Sequence, residues 1–302
     1  MNDIFPKGAA WMDGEFIKLS EARISVLDWG FLRSDATYDV AHVWKGRFFL
    51  LDKHIDRFFK STEKLRMPCK IDRKELRKIL AGCVNNAGLE NAYVEMIQTR
   101  GISPNFERDP RKATPRFIAF AVPFGWILKP EEFEVGLDVL ITDIKRIPSS
   151  SVDPTIKNYH WLDLVSGMLN SYERGHDAAI LIDEKNNVSE GPGFNIFSVD
   201  ETGLSTPDHG VLEGITRQTV INLAKELDLT INLKSISIEK LKSSDELFAT
   251  STAGGIMPIT KINGKPVGSG VPGKITRELH KTYWHKHSDP DWSLSVNDIL
   301  TK

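Results

Sequence analysis

Apolar residues near the start of the chain come in short runs that are separated by turn-forming pairs. Asp13-Gly14 and Lys45-Gly46 each stand between two apolar runs, and Asn263-Gly264 repeats the arrangement near the other end. Such pairs take the positive φ angles of a tight two-residue turn, which joins antiparallel strands. The pattern therefore predicts a β-hairpin at each of the three pairs.

Two helices are predicted next, because apolar residues begin to recur at a spacing of three and four positions. The stripe of the first helix is Ile55, Phe58, Phe59 and Leu65, and that of the second is Leu76, Ile79, Leu80 and Cys83. Asp72 followed by Glu75 is a capping-box pattern at the start of the second helix. Residues 93–99 and 116–122 are rich in β-branched and aromatic side chains, which predicts two strands.

The chain is predicted to divide into two domains of mixed α and β structure, an α+β organisation. Residues 1–122 form the small domain, residues 123–130 form a linker with two prolines and a glycine, and residues 131–302 form the large domain. Strands are expected in the large domain at 135–144, 178–182, 194–199, 229–233 and 246–250. Its helices are expected to carry Leu162, Val165, Leu169 and Tyr172 on one side and end at Gly175, to bury Val220, Leu223, Ala224 and Leu227, and to span 274–283.

Composition narrows the kind of partner. The 302 residues are 40% hydrophobic and 26% charged, with a net charge of −2, which is ordinary for a globular protein. Nothing in these totals favours nucleic acid or a membrane surface, so a small-molecule substrate is expected. The sequence has neither a basic start followed by an apolar run nor a stretch of about 18 apolar residues, so we expect a cytoplasmic protein.

The two cysteines, Cys69 and Cys83, are too few for a disulfide framework and lack the paired spacing of a zinc site. Both are expected to pack in or beside the core, as free cysteines usually do. No metal site is predicted.

Two loops could hold an anion. Gly214-Ile215-Thr216 precedes a predicted helix, and the free N–H groups of a helix N-terminus bind phosphate well. Ser251-Thr252-Ala253-Gly254-Gly255 is a second loop of small and hydroxyl residues, which could present a nest of backbone N–H groups. Taken alone, each pattern is also typical of an ordinary turn with a capping hydroxyl.

Two charged residues stand in unusual surroundings. Glu190 lies in the glycine-rich turn 189–195, and a carboxylate keeps a nearby pyridinium nitrogen protonated. Lys157 lies among Pro154, Ile156, Tyr159 and Trp161, and desolvation of an amine lowers its pKa and favours a Schiff-base nucleophile. The alternatives are a solvated surface glutamate and a lysine whose stem packs on Trp161 while its ammonium group reaches water.

The combination of these residues, in chain order, decides between the interpretations. With Arg57 upstream, the sequence resembles the fold type IV pyridoxal-phosphate enzymes, the branched-chain and D-amino acid aminotransferase superfamily. Within that superfamily the resemblance is greatest to the (R)-selective amine transaminases, and it runs from about Gly8 to His287. The matching motifs are SDATYDV at 34–40, DPTIKN at 153–158, EGPGFN at 190–195, GITR at 214–217 and TAGGIMPIT at 252–260.

The resemblance implies a two-domain fold with pyridoxal 5'-phosphate between the domains, and a homodimer whose pocket residues cross the interface. It implies that Lys157 is the Schiff-base lysine and proton shuttle and that Glu190 is the partner of the pyridine nitrogen. The residues that it places around the phosphate are Arg57, Gly214, Ile215, Thr216, Ser251 and Thr252. The residues that it places along the substrate pocket are Tyr38, Val40, Tyr93, Trp161 and Ala253.

The activity expected from the resemblance is a ping-pong transfer of an amino group from an (R)-primary amine or a D-amino acid to a keto acid such as pyruvate. Arg33, where (R)-amine relatives often have histidine, could pair with a substrate carboxylate or could make only a surface or inter-subunit salt bridge. Arg108 and Arg111 lie in a loop that differs in spacing from that of the relatives, so either or neither could serve. A branched-chain or D-amino acid aminotransferase is the nearest alternative, and an aminodeoxychorismate-type lyase is a further one.

Overall fold

In a computed structural model of the chain, residues 6–301 are described, and they fall into two compact units. Unit 1 contains the residues up to Gly125, the short segment Ile156–His160 and the residues from Lys286 onward. Unit 2 contains Trp126–Thr155 and Trp161–His285. The chain leaves unit 1 within the predicted linker 123–130, whose role as a linker stays a prediction. Two pieces of the predicted large domain thus make their contacts in unit 1.

Strands and helices are distributed over both units, which confirms the mixed α and β class. The strands are β1 (Ala9–Met12), β2 (Glu15–Lys18), β3 (Ala36–Trp44), β4 (Arg47–Phe49), β5 (Ala92–Ile102), β6 (Thr114–Pro123), β7 (Leu137–Lys145), β8 (Ala178–Ile182), β9 (Asn195–Asp200), β10 (Gly203–Thr206), β11 (Ile231–Leu233), β12 (Glu246–Ser251), β13 (Gly255–Ile262), β14 (Lys265–Pro266) and β15 (Ser293–Ser295). The helices are α1 (Trp29–Arg33), α2 (Leu51–Lys64), α3 (Arg73–Ala87), α4 (Leu162–Glu173), α5 (Ile215–Glu226), α6 (Ile238–Lys242), α7 (Lys274–His285) and α8 (Val296–Thr301).

Unit 1 is built on an antiparallel sheet with the strand order β15-β4-β3-β5-β6-β1-β2. The hairpins predicted at Asp13-Gly14 and Lys45-Gly46 are confirmed, with φ of 52° and 95° in the first pair and 50° and 73° in the second. Helices α2 and α3 cover the sheet with their apolar stripes. The resulting core includes Phe48, Ile55, Phe58, Leu76, Leu80, Cys83 and Met96.

The loop 156–160 belongs to unit 1 because it pairs with strand β3. The backbone N–H of Tyr38 donates to the carbonyl oxygen of Lys157 at 3.1 Å, and the Thr37 hydroxyl donates to the same oxygen at 2.6 Å. These two hydrogen bonds fix the position of Lys157 relative to the side chains of β3.

Unit 2 is built on a mixed sheet with the strand order β11-β10-β9-β12-β13-β7-β8, and β14 pairs with β13. The pairs β7–β8, β7–β13 and β10–β11 are parallel, and the other neighbours are antiparallel. The hairpin at Asn263-Gly264 is confirmed, with φ of 52° and 75°. In α5, Val220, Leu223 and Ala224 are buried as expected, whereas Leu227 is half-buried at the helix end.

Helix α4 differs from its sequence pattern in the face that it buries. The apolar stripe is exposed, and Leu162 and Leu169 are 83% and 56% accessible. The helix instead packs through Leu164, Gly167 and Ser171. The missing side chain of Gly167 allows this close approach, since a Cβ atom there would lie 2.8 Å from Leu181. As the pattern predicted, the chain turns out of the helix at Gly175, where φ is 78°.

Both cysteines are free, as expected, with Cys83 buried and Cys69 half-buried. Burial raises the pKa of the Cys83 thiol to about 12, so this thiol is protonated at neutral pH.

Candidate active site

Lys157 lies half-buried in the loop 156–160 of unit 1. The next residue, Asn158, braces this loop: its amide N–H donates to the Ile156 carbonyl at 2.8 Å, and its side-chain oxygen accepts from the His160 N–H at 2.9 Å. The Nζ atom of Lys157 lies over the ring of Tyr38, 4.4 Å from the ring centroid. The amine is therefore held on an aromatic face by a braced loop.

A chain of contacts leads from this amine to a buried carboxylate. The rings of Tyr38 and Tyr159 stack with centroids 4.4 Å apart, and the Tyr159 hydroxyl donates to Oε1 of Glu95 at 2.5 Å. Tyr93, two residues before Glu95 on β5, also hydrogen-bonds to this carboxylate. We refer to Lys157, Tyr38, Tyr93, Glu95 and Tyr159 as the Lys157 cluster.

Burial and the neighbouring groups have opposite effects on the pKa of Glu95 in the Lys157 cluster. Burial raises the pKa of Glu95, and the Tyr159 hydrogen bond, the Lys157 charge and the Tyr93 hydrogen bond only partly offset it. Burial and the nearby Glu95 charge raise the pKa of Tyr93 and of Tyr159, so both phenols keep their protons and act as donors. The cluster thus links a buried carboxyl group to the amine of Lys157 through tyrosine side chains.

Arg57 is held by a second buried carboxylate of unit 1, that of Asp39, which directly precedes Val40. Its Nε donates to Oδ2 of Asp39 at 2.7 Å and its Nη2 donates to Oδ1 at 2.9 Å. Nδ1 of His54 lies 2.8 Å from Oδ1 of the same carboxylate. Burial raises the pKa of Asp39, but the Arg57 charge and the His54 and Arg57 hydrogen bonds outweigh it and hold the pKa well below its usual value. Asp39, His54 and Arg57 form the Asp39 network, which fixes the plane of the guanidinium group.

Glu190 of unit 2 is buried and is an ion-pair partner. Its Oε1 accepts from Nε of Arg146 at 3.0 Å, and its Oε2 accepts from the backbone N–H of Leu212 at 3.0 Å and from the Asn195 amide at 3.4 Å. Arg146 also donates to Asp163 at 2.6 Å. Burial lowers the pKa of Arg146, but the charges of Glu190 and Asp163 outweigh it and raise the pKa above its ordinary value. Arg146 is therefore a permanently cationic partner of Glu190, and the burial of Glu190 excludes the alternative of a solvated surface glutamate.

The N-terminus of α5 has the features of an anion site. Its N-cap is Gly214, which provides no side-chain cap, and the hydroxyl residue Thr216 in the first turn is buried. A Cβ atom at Gly214 would lie 2.2 Å from Oδ1 of Asn195, so only glycine fits beside this amide. The loop thus leaves N–H groups of the first turn to an acceptor other than a side-chain cap.

The hydroxyl loop after β12 is tied to the Glu190 turn. The Ser251 hydroxyl donates to the Gly193 carbonyl at 2.8 Å and accepts from the Ala253 N–H at 3.2 Å. The neighbouring Thr252 is half-buried. Trp161 lies against Gly193, since a Cβ atom there would meet its ring at 3.6 Å. Contacts within unit 2 thus bring Ser251, Ala253 and Trp161 to the turn that contains Glu190.

The three candidate arginines for a substrate carboxylate lie at the surface of the described chain. The Arg33 guanidinium stacks over Trp29 at 4.5 Å, and Arg111 pairs with Asp109 at 2.8 Å. Arg108 is exposed in the same loop as Arg111. None of these contacts is to a residue of the Lys157 cluster.

Sequence reasoning overlooked the residues that support the predicted ones. Asp39 and Glu95 are acidic residues inside strands, and Arg146 follows β7. An acidic residue amid the apolar positions of a strand is the available signal, because a buried charge needs a partner. The partners themselves are distant in sequence, and the pattern gives no sign of them.

Residues 6–301 contain neither a side-chain cluster placed to bind a metal ion nor a helix able to cross a membrane. No group of three or more His, Cys, Asp or Glu side chains among them is placed to bind a metal ion. None of the helices described here combines the length and the apolar character that crossing a membrane requires.

Comparison with known proteins agrees with this geometry. Residues 36–262 match the family model of the class IV amino-transferases. The chain is 31% identical over 291 residues to a putative branched-chain-amino-acid aminotransferase of Methanocaldococcus jannaschii, covering 95% of this chain and 99% of the relative. It is 29% identical to a D-alanine aminotransferase of Bacillus licheniformis, covering 88% and 93%. The structure is similar to that of the branched-chain amino acid aminotransferase of Thermobaculum terrenum in its PLP-form, with a TM-score of 0.86, 25% identity and coverage of 96% and 98%.

Proposed function

Since the chain belongs to the class IV aminotransferases, we propose that it transfers an amino group from an (R)-primary amine or a D-amino acid to a keto acid such as pyruvate. The enzyme is an aminotransferase, and its cofactor is pyridoxal 5'-phosphate. When bound, this cofactor supplies an aldehyde and an electron-withdrawing ring that stabilises negative charge at the donor carbon. The chain's own residues must bind the cofactor, orient the donor and move the proton.

The residues present fit this cofactor. Glu190 is a buried carboxyl group paired with Arg146, and a carboxylate is the group that keeps a pyridine nitrogen protonated. The N-terminus of α5 has the glycine N-cap and the free first-turn N–H groups that suit a phosphate dianion. Arg57, fixed by Asp39, presents a guanidinium of the kind that binds a phosphate. These features support the expected roles of Glu190, Ile215, Thr216 and Arg57.

The Nζ atom of Lys157 is the group proposed to move the proton. It takes the proton from the donor carbon in the first half-reaction and returns one to the acceptor carbon in the second. Its position on the Tyr38 ring limits where Nζ can travel, so the proton is removed from one face of the donor. A positioned base of this kind typically contributes about 10²–10⁴-fold to the rate.

The proposed class of amino donor is based on which side chains make up the Lys157 cluster. The other members of the cluster are three tyrosines and a glutamate, and Lys157 itself is a cation that acts on the Glu95 charge. Aromatic side chains favour a donor with an aromatic or apolar substituent, and a carboxylate opposes one with an acidic substituent. An (R)-arylalkylamine meets both conditions.

The second candidate is a branched-chain or D-amino acid aminotransferase, which the names of the relatives favour. An amino acid donor needs a cation for its carboxylate, and Arg33, Arg108 and Arg111 remain the proposed sources. Their positions at the surface of the described chain are consistent with a role in a dimer, where a partner chain supplies pocket residues.

We also propose that the enzyme is a homodimer. Five apolar side chains of unit 1 are exposed within residues 24–32, and they are Ile24, Val26, Leu27, Phe31 and Leu32. A cluster of this kind is typical of a protein interface rather than of a solvated surface. Arg33 directly follows it, so a partner chain covering the cluster would also meet Arg33.

A half-reaction panel tests the proposed function. The holoenzyme is mixed with (R)-1-phenylethylamine, D-alanine or L-leucine, without an acceptor, and loss of the visible cofactor absorbance is followed. Conversion by the (R)-amine and by D-alanine, but not by L-leucine, is expected. Conversion by L-leucine alone would assign the branched-chain activity instead, and continued release of pyruvate from a single substrate would indicate a lyase. Lys157→Ala should abolish conversion, whereas the exposed Lys185→Ala serves as the matched lysine control.

A further inference from the structure

Glu95 brings a negative charge close to the reactive amine. The path from Nζ of Lys157 runs over the Tyr38 ring at 4.4 Å to the stacked Tyr159 ring at 4.4 Å, and the Tyr159 hydroxyl ends on Glu95 at 2.5 Å. The charges of Glu95 and Lys157 act on each other over this distance. Any substrate whose reacting carbon comes to Nζ therefore enters the field of this carboxylate.

The position of Glu95 in the sheet buries its carboxylate, which costs free energy of folding, and fixes the direction in which the carboxylate points. Its side chain is 8% accessible, and its strand neighbours Val94 and Met96 are fully buried in the core. A buried carboxylate acts through a low effective dielectric, so its field is stronger than that of a solvated one. Two tyrosine hydroxyls donate to it and hold its direction. An apolar residue would pack here at less cost, so the charge points to selection among substrates.

We infer that Glu95 sets the class of acceptor, favouring keto acids with one carboxylate over those with two. This inference rests on the proposed function, because it requires that a keto acid reacts at Lys157. The carboxylate next to the keto group is common to all 2-oxo acids and so does not discriminate among them. A second carboxylate, at the far end of the substituent, adds a negative charge that Glu95 repels.

The discrimination is measured with a pair of ligands that differ in whether the far end of the chain is a methyl group or a second carboxylate. Pentanoate and glutarate have the same five-carbon chain, and neither can be transaminated. Binding of each to the holoenzyme is measured by isothermal titration calorimetry at pH 8. We expect pentanoate to bind at least about tenfold more tightly than glutarate, as expected for two like charges within one site. Equal binding by the wild-type protein would overturn the inference without any variant.

Variants at position 95 assign the discrimination to this residue. Glu95→Gln keeps an acceptor for the Tyr159 hydroxyl but removes the charge, so the preference for pentanoate should fall to about twofold or less. Glu95→Asp keeps the charge and should keep the preference. Glu63→Gln, an exposed glutamate on α2 of the same unit, makes the same chemical change elsewhere and should behave as wild type. A preference that survives Glu95→Gln would contradict the assignment.

A kinetic measurement separates this inference from the proposed function. After conversion by the amine donor, 2-oxopentanoate or 2-oxoglutarate is added and recovery of the visible absorbance is timed. The wild-type enzyme should recover faster with 2-oxopentanoate by about tenfold or more, and Glu95→Gln should lose most of this difference. Failure of every donor to convert the enzyme would refute the proposed function. Conversion followed by equal recovery with both acids would refute only the role of Glu95.

Discussion

At the scale of single residues, Asp39 and Glu95, two buried acidic side chains of unit 1, have opposite electrostatic environments. Asp39 faces the Arg57 guanidinium, which holds its pKa below the usual 3.8 despite burial. Glu95 faces tyrosine hydroxyls and one amine, and burial keeps its pKa above the usual 4.5. The Asp39 network therefore stabilises the fold at all pH values above about 3.8 and loses that contribution as the pH falls further. Glu95 lowers the stability at neutral pH, and this cost disappears as the carboxylate is protonated on acidification.

The first residue-scale prediction concerns Arg57 and the phosphate. Arg57→Lys keeps the charge but cannot make two parallel hydrogen bonds to Asp39, so the cation is no longer fixed in direction. Affinity of the apoenzyme for pyridoxal phosphate should fall about tenfold or more, as expected for loss of a bidentate charge-assisted contact. Affinity for pyridoxal, which lacks the phosphate, should change little. Both are measured by absorbance titration.

Arg100→Lys is the matched control, because Arg100 also makes two hydrogen bonds to one carboxylate, that of Asp35, at 2.8 and 3.0 Å. It should affect neither ligand. An equal loss of affinity for pyridoxal and for pyridoxal phosphate in Arg57→Lys would show that Arg57 supports the fold rather than the phosphate.

At the scale of elements, the sequence predicted what local chemistry determines. The turn pairs gave the three hairpins, and the stripes gave α2 and α3, including the hydrogen bond from the Glu75 N–H to the Asp72 side chain at 2.8 Å. The pattern of α4 predicted a helix but not its buried face. Helical spacing reports that apolar residues share a side, whereas packing decides which side meets the sheet, and Gly167 lets the other face approach.

The residues of the candidate site also divide into those that the local sequence predicts and those that it does not. Lys157, Glu190 and the Gly214 turn stand out because their local sequences are unusual. Glu95, Asp39 and Arg146 act through partners distant in the chain, such as Tyr159 for Glu95. Strand register and loop placement create these contacts, and neither is encoded in a short stretch of sequence.

The element-scale prediction concerns the N-terminus of α5. In Gly214→Ala, the new methyl group would meet the Asn195 side chain at 2.2 Å and displace it from Glu190 and from the Leu212 carbonyl. We expect affinity for pyridoxal phosphate to fall at least about tenfold and the free energy of unfolding to fall by about 1–3 kcal/mol, as in other overpacked sites. Titration with the cofactor and thermal unfolding of the apoenzyme measure the two effects.

Gly125→Ala is the corresponding control, since a Cβ atom there meets nothing within 4 Å. It should bind the cofactor as the wild-type protein does. If Gly214→Ala also binds normally, then the turn does not approach the phosphate and the anion site must lie elsewhere.

At the scale of the whole molecule, the exposed cluster within residues 24–32 predicts the oligomeric state. Val26 and Phe31 are 69% and 64% accessible, so replacing both by lysine should not disturb the core of unit 1. The double variant should dissociate the proposed dimer, because two buried charges on each side of an interface are strongly unfavourable. Light scattering coupled to sizing chromatography gives the mass directly, against a chain mass of 34.0 kDa.

Val135→Lys provides a control, because Val135 of unit 2 has the same 69% accessibility but lies outside the cluster. It should leave the mass unchanged. A wild-type protein of monomeric mass would contradict the proposed assembly, and a double variant that stays dimeric would place the interface on another surface.

The central claim is that Lys157 abstracts a proton from one face of a donor held among aromatic side chains. The most direct test is the single-turnover rate with (R)- and (S)-1-phenylethylamine, followed by the visible absorbance of the holoenzyme. We predict that the (R)-enantiomer converts the wild-type enzyme at least about 100-fold faster than the (S)-enantiomer, since a donor bound the other way round puts its hydrogen out of reach of Nζ. Equal rates for the two enantiomers, or conversion of Lys157→Ala at the wild-type rate, would contradict it.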